Sequence, residues 1–143
     1  MNLPIDWDDL WIKMTDLVKS RSKDPKTQVG AVLVSPDNRK ISIGYNGFLY
    51  GVKDTEERWE RPTKYDYVCH AEMNAIVQAS TDLVGWTAYT TIPICSVCAR
   101  YIIQAGIKKV VYKNEPKKES QIDYAHAFAL FREAGVEVIH WEG

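Results

Sequence analysis

From His70 to the C-terminus the apolar pattern alternates between helical and strand periods, and this alternation restricts the fold more than any other feature. Met73, Ile76 and Val77 fit a helix, and Thr87 to Ile92 reads as a strand. Ala99, Ile102 and Ile103 fit a second helix that Gly106 stops, and Lys109 to Tyr112 is again a strand. A third helix covers about Gln121 to Ala134, closed by Gly135, before a last strand from Val136 to His140. Strands separated by helical crossovers lie parallel in one sheet with the helices packed on it.

The first part of the chain has a different order. Trp7, Leu10, Trp11, Met14, Leu17 and Val18 fall on one face of a helix of about four turns. Pro25 ends that stretch by pushing Asp24 out of helical geometry. Two β-rich runs follow, Val29 to Ser35 and Lys40 to Tyr45, joined by the turn-forming Pro36-Asp37-Asn38. Adding this hairpin to the parallel strands predicts a three-layer α/β/α sandwich with a mixed five-stranded sheet. At 143 residues the length corresponds to about one domain, expected over 1–143. The connection from Gly44 to Tyr65 is long, aromatic and glycine-bearing, which marks it as functional rather than a simple link. Within it, Asp54 followed by Glu57 is expected to cap a short helical piece.

Composition excludes several classes. A formal net charge of −1 argues against a sequence-blind nucleic-acid binder, yet leaves room for a small anion held by one or two cations. No apolar run approaches the roughly 20 residues needed to span a bilayer, and the first residues lack a signal-peptide pattern. Three cysteines, Cys69, Cys95 and Cys98, are too few and odd in number for a secreted disulfide scaffold. The expectation is a soluble cytoplasmic protein with no nucleic-acid or membrane partner.

The cysteines carry the chemistry. His70-Ala71-Glu72 is followed, 25 residues after His70, by Cys95-Ser96-Val97-Cys98. Each half begins a predicted helix, where unpaired N–H groups and the helix dipole favour thiolate. One His and two Cys form a three-ligand set, and a catalytic zinc site keeps its fourth position open for water. Glu72, two residues from a ligand, is within reach of that position as a proton carrier. A structural zinc and a redox CxxC pair are the competing readings. The first wants a fourth ligand, and the only spare thiol is Cys69, beside His70.

The motifs resemble those of the zinc-dependent deoxycytidylate (dCMP) deaminases of the cytidine deaminase-like superfamily. That superfamily pairs His-x-Glu with Pro-Cys-x-x-Cys. The resemblance runs through residues 21–31 (RSKDPKTQVGA), 44–48 (GYNGF), 67–76 (YVCHAEMNAI) and 103–112 (IQAGIKKVVY), and covers about residues 6 to 140. Ile94 stands where the family has proline before the first metal cysteine, with Pro93 one step earlier, and Leu49 replaces a usual loop proline. The resemblance implies one catalytic Zn²⁺ per chain on His70, Cys95 and Cys98. Outside this set only Cys69, His126 and His140 remain as Cys or His. It implies Glu72 as the proton carrier in hydrolysis of dCMP to dUMP and ammonia.

For substrate contacts the expectation is Lys23 and Thr27 toward a 5′-phosphate, Asn46 toward sugar or base, and Tyr124 against the nucleotide. The ordinary alternatives are surface charge for Lys23, a turn residue for Asn46 and a core position for Tyr124. Family members are commonly hexamers activated by dCTP and inhibited by dTTP. The resemblance therefore assigns a regulatory triphosphate, with Mg²⁺, to Asn46, Gly47, Gly51, Arg58, Trp59, Lys64 and Tyr65, a stretch whose plainer reading is a subunit interface. Two rival functions share the zinc chemistry or the scaffold: a tRNA adenosine deaminase, opposed by the charge, and a non-catalytic nucleotide-binding zinc protein, opposed by Glu72.

Overall fold

The computed structural model describes residues 1–143. Helix α1 (Trp7–Lys19) is followed by strands β1 (Gly30–Val34), β2 (Ile41–Tyr45), β3 (Gly47–Phe48) and β4 (Val68–Cys69). Helix α2 (Ala71–Gln78), β5 (Thr87–Thr90), α3 (Ser96–Gln104), β6 (Lys109–Tyr112), α4 (Gln121–Ala134) and β7 (Glu137–His140) then alternate to the end. The main sheet has the order β2-β1-β5-β6-β7. Its β1 is antiparallel to both β2 and β5, whereas β5, β6 and β7 are parallel. The mixed five-stranded sheet is therefore present as expected, with strand ends one or two residues inside the sequence-based limits.

Alternation along β1 divides the apolar residues between two cores. Ala31 and Leu33 join Ala88 and Val110 beneath Ala75 of α2, Ala99 and Ile102 of α3, and Ala127 and Phe131 of α4. Val32 and Val34 face the other way, with Tyr89 and Val111, onto Trp11, Ile12 and Val18 of α1. One helix thus covers one face of the sheet and three cover the other: α3 and α4 from the two crossovers between the parallel strands β5, β6 and β7, and α2 from the connection that leads into β5. Polar ties fasten α1: the Tyr89 hydroxyl donates to Asp8 at 2.6 Å, and Trp141 Nε1 donates to Asp9 at 2.7 Å.

The segment after β2 is more ordered than a loop. Strands β3 and β4 pair antiparallel, with Gly47 opposite Cys69. Two 3-10 turns, Glu56–Trp59 and Thr63–Asp66, fill the interval. Asp54 does not cap the first of these. Its carboxylate accepts Trp59 Nε1 at 2.7 Å, and Thr55 occupies the cap position without a side-chain bond. Trp59 packs on Phe48 at 4.8 Å between ring centroids, and Phe48 stacks on Tyr67 at 5.8 Å, so aromatic burial competes with capping and wins.

Helix α2 approaches β2 so closely that only glycine fits at position 44. A Cβ there would lie 2.2 Å from the Ala71 carbonyl oxygen and 2.5 Å from the Ala75 nitrogen, both backbone atoms. Asn74 completes the junction by donating to the Tyr45 carbonyl at 2.8 Å. The start of α2 is thereby pressed against the end of β2. Gly44→Ala is expected to destabilise the fold by at least about 2 kcal/mol, since backbone on both sides must move. Urea denaturation of the variant beside wild type measures it.

Candidate active site

Two helix N-termini meet beyond the carboxyl end of β5, the usual place for a site in a parallel sheet. His70 occupies the N-cap position of α2 and Cys95 that of α3, both in extended backbone geometry. Cys98 lies on the first turn of α3. His70 Nδ1 is 3.4 Å from Cys95 Sγ and 3.3 Å from Cys98 Sγ. The three donor atoms all lie within 4.8 Å of one another. One nitrogen and one sulfur on a tetrahedral zinc ion are ~3.5 Å apart, given bonds of about 2.0 and 2.3 Å. The donor set fits that ion in both chemistry and spacing.

The three donors share protons among themselves. Without a metal, a hydrogen bond from Cys98 lowers Cys95 well below the ordinary thiol range, against the burial penalty and with help from His70. The bond to Cys95 and burial drive Cys98 the opposite way. The pair thus gives up its first proton readily and retains the second. His70 is raised, chiefly by its bond to Cys95. A bound dication replaces the protons that this crowded donor set otherwise shares.

Glu72, in the first turn of α2, is only 4 % exposed and lines the same cavity. Burial raises its pKa above the ordinary carboxylate value, with His70 opposing. The cavity has a volume of about 470 Å³. Of the sequence candidates, it brings Thr27, Asn46, Lys64, Tyr65 and Tyr124 to one wall system with His70, Glu72 and Cys95. Lys23 is not among its lining residues. Its exposed ammonium instead pairs with Asp54 at 3.1 Å.

Asn46 has most of its hydrogen-bonding capacity engaged within the protein. Its Oδ1 accepts the Val29 amide at 2.8 Å, and its Nδ2 donates to the Thr27 carbonyl at 2.9 Å and weakly to Asp24 at 3.4 Å. Lys64 is buried, with its ammonium donating to Asp24. The other Asp24 oxygen accepts the Lys26 and Thr27 amides at 2.8 and 3.0 Å. Burial tends to raise the Asp24 carboxyl, but the Lys64 bond and these amides outweigh it and hold the pKa below the ordinary value.

The remaining candidates lie along the 47–67 segment. Gly47 is in β3, and Gly51 sits in an exposed turn at φ +83°. Arg58 donates to the Lys53 carbonyl at 2.9 Å and lies 4.4 Å over the Tyr67 ring, while Trp59 is buried. Arg61, a loop cation that the sequence offers for a triphosphate, lines the cavity, as does the exposed Lys117, which sequence reasoning missed. Lys117 reaches Thr27 Oγ1 at 3.0 Å across 90 residues of sequence, a proximity no periodicity reveals.

Residues 5–114 match the family model described as the cytidine and deoxycytidylate deaminase zinc-binding region. The chain belongs to this family. The human deoxycytidylate deaminase is 41% identical over 139 residues, covering 92% of this chain and 78% of that one. The cyanophage S-TIM5 dCMP deaminase, solved in complex with dCMP and dUMP, superposes with a TM-score of 0.78 at 28% identity. That match covers 98% of this chain and 100% of the phage chain. A structure from a study of tRNA:A34 deaminases shares the fold alone, at 20% identity and a TM-score of 0.59 over 93% of this chain and 98% of that one. As an enzyme of this family, the chain places its motif residues, His70, Glu72, Cys95 and Cys98, at one point.

Lys64→Met is expected to cost about 3–5 kcal/mol, because it strands the buried Asp24 carboxylate without its counter-ion. Denaturant unfolding near neutral pH checks this, and adding Asp24→Asn to the variant is expected to recover part of the loss.

Proposed function

We propose that the whole chain, 1–143, is one catalytic domain that hydrolyses dCMP to dUMP and ammonia with one zinc ion. The observation that carries this reading is the His70, Cys95 and Cys98 group, whose Nδ1–Sγ separations of 3.4 and 3.3 Å are close to those on a tetrahedral zinc ion, with buried Glu72 in the same cavity. The named deoxycytidylate deaminase relatives, and the phage enzyme bound to dCMP and dUMP, support the substrate.

Bound zinc supplies Lewis acidity that makes water a nucleophile near neutral pH. Glu72 accepts a proton of the attacking water and delivers it to N3 as the bond to C4 forms. It then takes the remaining proton from the new C4 hydroxyl and passes it to the departing amine as the C4–N bond breaks. Its burial suits this role, since a raised pKa lets one carboxyl both take and return a proton. Arg61 and Lys117 hold the 5′-phosphate beside Thr27, replacing the Lys23 contact expected from sequence. Tyr124 flanks the nucleotide, and the second lone pair of Asn46 Oδ1 serves a sugar hydroxyl.

Glu72→Gln is expected to retain stoichiometric zinc while losing at least about 10²-fold in turnover. Ammonia release from dCMP, deoxycytidine and tRNA, together with metal analysis, tests the whole reading. The wild type should prefer dCMP, and Arg61→Ala should narrow that preference over deoxycytidine. Wild-type turnover in the Glu72→Gln variant, or a preference for tRNA, would refute it.

The finer reading extends to regulation and assembly. Exposed Val77, Val97, Tyr101 and Ile122 on the three-helix face support a homo-oligomer, by family likeness a hexamer, which sedimentation measures. The small, odd cysteine count, with two of the three thiols in the proposed zinc group, supports a reducing, cytoplasmic setting, which cell fractionation checks. The 47–67 segment shares the cavity wall through Lys64 and Tyr65, supporting control by dCTP as activator and dTTP as inhibitor, carried with Mg²⁺. Each triphosphate titrated against the dCMP saturation curve should shift it in opposite directions. An unmoved curve removes this part of the proposal.

A further inference from the structure

We propose that Asp123 is a positioning residue of the deaminase site, clamping Ser96 so that the first turn of α3 presents both cysteine sulfurs at ligand spacing. Ser96 stands directly after Cys95 and two residues before Cys98. Its amide donates to Asp123 Oδ2 at 3.0 Å and its hydroxyl to Oδ1 at 2.5 Å. The Cys95 side chain makes no capping bond of its own at the α3 N-terminus. A carboxylate from the first turn of α4 therefore provides one in trans, through two charge-assisted bonds at the positive end of a helix. These bonds hold the Asp123 carboxyl below its ordinary pKa, chiefly through the Ser96 hydroxyl.

The consequence is geometric. Rotation or fraying of this turn moves both sulfurs relative to His70 Nδ1, whose separations of 3.4 and 3.3 Å match a tetrahedral ion. The same clamp fixes the start of α4, where the next residue, Tyr124, lines the cavity. One side chain thus sets the ligand end and the nucleotide end of the site together. Carboxylates behind metal ligands typically contribute 10–100-fold in metal affinity or activity. The inference rests on zinc being bound by His70, Cys95 and Cys98, and its test separates the two claims.

The zinc-loaded full chain is challenged with a colorimetric chelator well below its melting temperature, and the zinc release rate is followed alongside kcat per bound zinc. Asp123→Ala should release zinc about 10–100-fold faster and lose kcat. Ser96→Ala should show a smaller change, and Asp123→Asn, which keeps one acceptor oxygen, should recover part of it. The core variant Phe131→Leu, on the same helix, controls for lost stability and should release zinc at the wild-type rate. Equal release from Asp123→Ala and a Phe131→Leu variant of matched melting temperature would overturn the proposal while leaving the zinc reading intact. Wild-type protein without stoichiometric zinc would overturn both. If Asp123→Ala does not fold, Ser96→Ala carries the same comparison.

Discussion

The meeting of two helix N-termini beyond β5 is the constraint on which the remaining geometry depends. A helix start offers unpaired amides and a positive dipole end, so it tolerates the negative charge that ligand thiols must acquire. Placing His70 and Cys95 at cap positions brings three donors together from only two elements. The sheet makes this possible. Gly30 and Gly44 let helices touch strand backbone on opposite faces, and the turn at Gly106 returns the chain to a strand parallel to β5. Catalytic geometry here follows from close backbone packing rather than from a flexible loop folded around an ion.

The buried Asp24–Lys64 pair has a different task. It joins the turn after α1 to the segment after β3 across 40 residues, and Asn46 fastens both to the start of β1. Ion pairs of this kind repay their desolvation only when the remaining lone pairs are filled. Asp24 meets that condition with two backbone amides besides Lys64 and Asn46. The result is a braced wall for the cavity, with Thr27 held at its edge.

Periodicity made the fold legible. Most elements of the main sheet and its helices show an apolar period in sequence, and local turn chemistry marks where the chain reverses. Strand β2, however, buries Ser42 and Gly44 with Ile41 and Ile43 exposed, and α2 buries Ala71 and Ala75 with Val77 exposed. The clustering of His70, Cys95 and Cys98, which could hold a metal, with Glu72 in the adjoining cavity was legible for another reason: the residue types are rare and their spacing matches two successive helix starts. Cations followed neither rule. Lys23, Arg61, Lys64 and Lys117 look alike in sequence, yet one pairs outside the cavity with Asp54, one is buried on Asp24, and two stand exposed along the cavity. A period assigns a residue to a face but names no partner. The pairs Asp24–Lys64, Lys117–Thr27 and Ser96–Asp123, separated by 40, 90 and 27 residues, therefore emerge only in three dimensions.

That sorting of cations gives the small net charge of −1 a physical meaning. A polynucleotide track needs many unpaired cations spread over a surface. Here Asp24 pairs with Lys64, Asp16 is shared by Lys113 and Lys19, and Asp54 pairs with Lys23. Arg61 and Lys117 remain at the cavity, where Glu115 and Glu119 also stand. Two local cations inside a balanced surface favour one phosphate at short range and give little attraction to a chain of them, since exposed charges beyond about 10 Å are screened at ordinary ionic strength. Under the proposed dCMP activity, phosphate recognition rests on these two cavity cations rather than on an extended basic surface.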